Sequence, residues 1–279
     1  MVEAAQALFV RDGSWVRPTE WARGPWSPHA LHGGPVAALV VGAAESCGTD
    51  RSMQLVRLTL ELQRPVPLAP LELEAQLVRP GRRVQLVDVS VRSGGVVVAT
   101  ARALRMRVAD GGAKAGDRSA VDIQFPAGEA SDAERLQGPS EGVEMAPIRG
   151  DYLAFHNGAV EIRFVAGRFD QLGPATAWFR LRVPVFADEE PSPWQRAAVA
   201  ADFGNGISAE LPFATATFIN PDLTIEMVRP PVGPWVALDA RTTLGSPGIG
   251  WAESTLWDEH GRIGRSMQSL LVEALETPR

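Results

Sequence analysis

An eight-residue tract occurs twice in this chain of 279 residues, 165 positions apart, so the chain must accommodate two copies of one structural unit. Leu58-Thr59-Leu60-Glu61-Leu62-Gln63-Arg64-Pro65 aligns with Leu223-Thr224-Ile225-Glu226-Met227-Val228-Arg229-Pro230, with five of the eight positions identical. The same offset continues to pair similar residues: Leu73 with Leu238, Ala75 with Ala240, Val84 with Ile249, Asp88 with Glu253 and Ser90 with Thr255. One inserted residue is expected further on, where Gly95 meets Gly261. A period this long is not that of a solenoid or propeller, and it predicts two tandem, domain-sized copies of one fold.

Composition bounds what such a pair can do. With 45% apolar residues the chain can bury two cores of ordinary domain size. A net charge of −6 provides no basic footprint for nucleic acid. The single cysteine, Cys47, excludes an intramolecular disulfide, and no Cys/His cluster has zinc spacing. No basic, apolar leader opens the sequence and no apolar run reaches membrane-spanning length. A cytoplasmic location and no membrane partner are the expectations. Lys114 is the only lysine among abundant arginines, a bias better explained by base composition than by phosphate binding.

Each copy is predicted to be one long buried helix followed by an antiparallel sheet. In the first, His32-Gly33-Gly34-Pro35 opens an apolar run from Val36 to Ala44, with Pro35 suited to the first helical position. Strands are expected over 58–62, 71–78, 84–92 and 96–108, with Ser93-Gly94-Gly95 as a hairpin turn. Residues 1–110 are assigned to the first unit, 111–149 to a linker and 150–279 to the second unit. In the second, extended segments are expected over 160–165 and 176–185. Ser192-Pro193-Trp194-Gln195 has the pattern of a capping box, so a helix should run to about Phe203. Strands are expected over 224–228, 236–243, 249–257 and 262–273. Neither sheet closes on itself, and side-by-side pairing of the two would cover their edges.

Asp202 stands in the otherwise apolar segment Ala197-Ala198-Val199-Ala200-Ala201-Asp202-Phe203, near a helix C-terminus. Both settings disfavour its charge, and a carboxylate in an apolar cavity suits a general base. Position 37, which is 165 residues earlier, is alanine. Solvent exposure or local capping is the competing explanation. Gly33-Gly34 is either a tight turn or an opening that lets a ligand reach the amides of a helix N-terminus, where an oxyanion would be stabilised. His32 is adjacent, as a packing or supporting residue. Gln268 shares a strand face with Leu270 and Val272 by period two.

Other patterns carry less. Gly204-Asn205-Gly206-Ile207-Ser208-Ala209 has the letters of a dinucleotide fingerprint but follows a helix, where a C-terminal glycine is expected. No Gly-x-Ser-x-Gly elbow occurs. The arginines of Arg79-Pro80-Gly81-Arg82-Arg83 fit a solvated loop.

Taken together, His32-Gly33-Gly34 before a buried helix, Asp202 late in a second helix, Arg-Pro at 64/65 and 229/230, and Gln268 in the last strand resemble the thioesterase II type of double-hotdog acyl-CoA thioesterases. The resemblance spans most of the chain outside the linker. It implies an α+β fold: a tandem double hotdog in which two antiparallel sheets each wrap a central helix and pair into one continuous sheet. It also implies an Asp, a Thr or Ser and a Gln holding the water that attacks a thioester. Asp202 and Gln268 match, while the hydroxyl position falls on Asn220, a departure that changes donor and acceptor geometry. Thr224 is near, but its counterpart Thr59 points to a repeated structural role. The implied partner is an acyl-CoA, with no cofactor beyond the CoA of the substrate, and a homo-oligomer of whole chains associating through the hotdog sheets is a further expectation. A hotdog enoyl-CoA hydratase and a non-catalytic acyl-CoA-binding module stand as alternatives; Asn220-Pro221-Asp222 is similar to a hydratase motif but lacks a following histidine.

Overall fold

The computed structural model describes residues 6–48, 53–108, 136–145 and 152–275. The repeat is legible in its strands. In the first copy β3 (Met53–Leu62), β4 (Leu71–Pro80), β5 (Val84–Ser93) and β6 (Val96–Arg107) form an antiparallel ladder. In the second, β12 (Val236–Gly245), β13 (Ile249–Asp258) and β14 (Gly261–Ala274) begin 165 residues after β4, β5 and β6. One β-bulge recurs, between Val91 and Arg92 in the first copy and between Leu256 and Trp257 in the second, whereas the register shift between Leu77 and Arg79 in β4–β5 has no counterpart in β12–β13. The hairpins close with Ser93 opposite Val96 and Asp258 opposite Gly261, so the ladders contain no inserted residue. The expected Gly95–Gly261 equivalence is therefore corrected: Gly95 is a turn residue with φ 79°, whereas Gly261 is the first residue of a strand.

Two further strand pairs complete the sheet: β1 (Phe9–Asp12) and β2 (Trp15–Pro18), then β8 (Val160–Ala166) and β9 (Ala175–Leu181). With the short β7 (Val143–Glu144) and with β11 (Asp222–Met227), the order is β1-β2-β4-β5-β6-β3-β11-β14-β13-β12-β9-β8-β7, and β10 (Ala216–Ile219) pairs with β14. The centre of this order is the β3–β11 junction, where the repeated tracts pair antiparallel and Thr59 lies opposite its own counterpart Thr224. Pairing removes one exposed edge from each half-sheet. Leu58, Leu60, Leu223 and Ile225 turn inward at the junction and are fully or almost fully buried. Each such side chain contributes about 1.5–3 kcal/mol.

Helix α1 (Gly33–Ser46) and helix α2 (Pro193–Ala201) pack against each other beneath this sheet. The all-round apolarity of α1 from Val36 to Ala44 follows, because it faces both the sheet and the other helix, whereas α2 turns Arg196 outward. Helix α1 begins earlier than the sequence predicts, with His32 as N-cap and Pro35 at the third helical position; a missing amide there costs no intrahelical bond. Ser192 and Gln195 form the predicted capping box. The second helix, expected to run to about Phe203, ends at Ala201, and an unpredicted one-turn helix α3 (Gly204–Ile207) follows. The N-terminal hairpin β1–β2 is unpredicted, since Phe9 and Trp15 alone gave no alternation signal. Of the predicted linker only 136–145 is described, and it includes β7 on the edge of β8; the remainder lies outside the described residues.

The two Arg-Pro pairs are not equivalent in the structure. Arg229 binds the fully buried carboxylate of Asp258 through two nitrogens, while Arg64 has Ser93 at the position corresponding to Asp258. Asp258 also accepts from the amides of Val232 and His260, both at 2.9 Å. Burial works to raise its pKa, but the guanidinium and the two amides outweigh burial and hold it below the ordinary carboxylate range. This contribution to stability is complete above the unfolded-state pKa of about 3.9 and is lost as pH falls through the lower folded value. Asp258→Asn should cost about 3–5 kcal/mol at neutral pH, with the difference from wild type shrinking as the wild-type carboxylate is protonated in acid. Urea unfolding of both proteins across pH measures this; equal stability at pH 7 would contradict it.

Candidate active site

Asp202 is the C-cap of α2, yet its carboxylate lies on the first turn of α1, so the charge rests at a helix N-terminus. The expectation that its surroundings disfavour charge is corrected accordingly: the copies meet so that one helix end offsets the other. Oδ1 accepts from Asn220 Nδ2 at 2.8 Å and from Gln268 Nε2 at 3.0 Å. Gln268 Nε2 also donates to the Asp202 backbone carbonyl at 3.2 Å, so both of its N–H bonds are committed to Asp202. Oδ2 lies 2.8 Å from His32 Nδ1, whose ring is held between Phe155 and Phe203 at centroid distances of 5.0 and 4.8 Å. Nδ1 also accepts from the Gly34 amide at 3.1 Å. One ring nitrogen has a single in-plane position, so accepting from Gly34 and donating to Asp202 exclude each other: the first needs Nδ1 bare and the second needs a hydrogen on it.

The backbone around the carboxylate is built for close approach. A Cβ on Gly33 would lie 2.7 Å from both Asp202 oxygens, and one on Gly34 would lie 2.8 Å from the Val199 carbonyl. Gly204 is tight for a related reason: a Cβ there would meet Gln268 Oε1 and Ser254 Oγ at 3.1 Å each. This replaces the expected helix-terminal glycine; Gly204 starts α3 and leaves room for Gln268. Because the Gly34 amide is engaged by His32, the amide at this helix end without a partner among the described residues is that of Gly33.

The sheet is interrupted beside the carboxylate. The counterpart of the continuous strand β3 is split into β10 and β11 at Asn220-Pro221, and Gln268 of β14 lies opposite the gap. The break frees the Asn220 side chain to reach Asp202, and the Pro221 carbonyl accepts from Leu62 of the first copy at 2.7 Å. Asp222 accepts from the Ser269 amide at 2.7 Å, and Thr224 pairs within the sheet, so neither belongs to the site.

These groups line one cavity of about 540 Å³ that both copies wall. His32, Gly33, Asp202, Asn220 and Gln268 all line it, so the structure brings nearly every sequence-selected site residue together; Gly34 lies just behind its wall. Sequence reasoning missed Asn205, His156 and an aromatic wall. Phe213 of that wall touches Trp26, Phe169 and Phe218 at centroid distances of 5.9, 6.1 and 5.3 Å. They come from loops, short helical turns and strand β10, drawn from both copies with no common period, so no local pattern marks them. No group of three or more His, Cys, Asp and Glu side chains among the described residues is placed to hold a metal ion.

The asymmetry between copies needs one adjustment. The N-caps His32 and Ser192 are 160 residues apart, not 165, so by distance from the cap Asp202 corresponds to Gly42 rather than to Ala37. The five additional residues between helix cap and sheet in the second copy include the turn of α3. Neither Ala37 nor Gly42 carries a carboxylate; at the opposite end of the helix pair it is Glu45 of α1 that reaches the N-cap of α2, accepting from Ser192 Oγ at 2.6 Å.

The fold is shared with solved structures of low sequence identity. A hotdog-fold protein of unknown function from Alicyclobacillus acidocaldarius superposes with a TM-score of 0.68 at 19% identity, covering 98% of this chain and 97% of that one. The tesB protein of Mycobacterium avium subsp. paratuberculosis gives 0.64 at 14% identity, covering 96% and 97%. Acyl-CoA thioesterase II TesB2 of Mycobacterium marinum gives 0.62 at 15%, covering 96% and 95%. No curated protein matches the sequence. The sequence itself matches the acyl-CoA thioesterase N-terminal domain over residues 22–106 and the C-terminal domain over residues 131–272, and on that match the chain belongs to the acyl-CoA thioesterase family.

Proposed function

We propose that the protein hydrolyses an acyl-CoA thioester to the free acid and CoA by direct attack of water, with Asp202 as general base. The observation that carries this reading is the buried Asp202 carboxylate, held by two side-chain amides at the N-terminus of α1 inside a largely apolar cavity. Such a group is fixed in place, while its basicity is available to a water on its open side. Gln268 acts as a positioning residue for the carboxylate, because both its N–H bonds end on Asp202. Asn220 spends one N–H on Asp202, and its carbonyl oxygen and second N–H remain to orient the water. In this way an amide serves where the family resemblance implies a hydroxyl.

The water oxygen bonds to the thioester carbon as Asp202 takes its proton, and negative charge develops on the carbonyl oxygen. The Gly33 amide, at the positive end of α1, stabilises that charge. Collapse of the tetrahedral species breaks the C–S bond, and the proton held by Asp202 goes to the departing thiolate. No cofactor takes part in this sequence beyond the CoA carried by the substrate. The family membership and the absence of Asp222 from the cavity favour this reading over a hydratase.

Asp202→Asn should lower kcat for thiol release by about 10²–10⁴-fold while leaving the circular dichroism spectrum unchanged, and unaltered turnover would refute the assignment. Gly33→Ala tests the close approach separately. Its methyl group would displace the carboxylate, so kcat should fall at least about tenfold with a folded protein; a crystal structure of that variant should show the Asp202 oxygens moved.

A further inference from the structure

A five-residue π-helical turn, Phe155–Ala159, covers the N-terminal end of α1. It is firmly built. The Ala154 amide donates to Asn157 Oδ1 at 2.8 Å, Asn157 Nδ2 to the Tyr152 carbonyl at 3.1 Å, and the Phe155 amide to the Arg23 carbonyl at 2.9 Å. Phe155 is fully buried against His32, and a Cβ on Gly34 would come within 3.5 Å of its ring. The turn is therefore packed onto the same helix end whose Gly33 amide has no partner.

His156 lies on this turn and lines the cavity together with Gly33 and Asp202. Its Nδ1 is buried with no hydrogen-bond partner. Nε2 is neither among the fully buried unpartnered atoms nor bonded to any described residue, so it opens to the cavity. A buried N–H without an acceptor is rarer than an unused acceptor, which places the proton of a neutral ring on Nε2. Resting on the thioesterase reading, we propose that His156 is a catalytic residue whose Nε2–H donates to the thioester carbonyl oxygen, forming an oxyanion hole with the Gly33 amide. Burial, and secondarily the nearby His32, push its pKa down to about 4, so the ring is neutral at physiological pH and donates without adding a fixed cation beside Asp202. The donor strengthens its bond as the carbonyl π electrons move onto oxygen and the water–carbon bond forms, and it releases no proton in the step.

Thiol release from an acyl-CoA, measured with the full chain, separates the outcomes. His156→Phe fills the same space without a donor and should lower kcat by about 10²–10³-fold with KM changed only a few-fold. His156→Gln keeps an N–H donor and should recover part of the loss. The carbonyl stretching frequency of a 13C-labelled acyl-CoA bound to the inactive Asp202→Asn protein should be lowered relative to free substrate, and adding His156→Phe should return it part of the way. If phenylalanine prevents folding, His156→Ala takes its place in both measurements. Unchanged kcat, a rise confined to KM, or a carbonyl frequency indifferent to position 156 would overturn the assignment while leaving the thioesterase reading intact. A wild-type protein that releases no thiol would remove both.

Discussion

The structure depends on one contact between its two copies: the carboxylate of Asp202, at the end of α2, seated on the glycine turn that starts α1. A carboxylate in this position, deprived of partners, would cost several kcal/mol, and it is stabilised by groups from three places. Asn220 comes from the strand break, Gln268 from β14, and the positive end of a helix dipole from the start of α1. Charge-assisted hydrogen bonds are worth roughly 1.5–3 kcal/mol each, so these partners are sufficient in number to keep the group buried. All of them lose their purpose if the helices separate, which ties the chemistry of the site to the docking of the copies.

Pairing of the copies in turn follows from β3 and β11. The junction places Thr59 opposite Thr224 and the helices antiparallel beneath, and an arrangement of that kind offers two pseudo-equivalent helix ends. Polar side chains of α2 meet glycines of α1 at both: Asp202 at Gly33, and Gln195 at Gly42, where a Cβ would lie 2.7 Å from its Nε2. Gln195 caps its own helix and donates to the Ala38 carbonyl at 3.2 Å, so one end is closed structurally and the other is left for chemistry. The split of one strand at Asn220-Pro221, where the other copy runs continuously, is the second departure from symmetry. Both departures fall on the same cavity.

Much of this was legible in the sequence because it rests on local or repeated signals. The 165-residue offset predicts which strands correspond, since β12, β13 and β14 start 165 residues after β4, β5 and β6, and Ser192-Gln195 predicts the helix start. Asp202, Asn220 and Gln268 were found because one polar residue in an apolar run, or at a family position, stands out. Helix register was less legible: identity-based alignment carried the strand offset into the helices, where the caps differ by five residues. The engagement of Gly34 by His32 was invisible because it depends on a side-chain rotamer. His156 and the aromatic wall were invisible because they come from separate short segments whose convergence is set only by the paired sheets.

Oxygen-18 incorporation in a single turnover, with enzyme in excess over acyl-CoA in labelled water, tests the central claim most directly. If Asp202 activates water that attacks the thioester, the first acid released carries one solvent-derived 18O and the Asp202 peptide carries none. Unlabelled acid in that first turnover, with 18O recovered in the Asp202 carboxylate, would mean that the aspartate itself attacks the substrate, and would contradict the account.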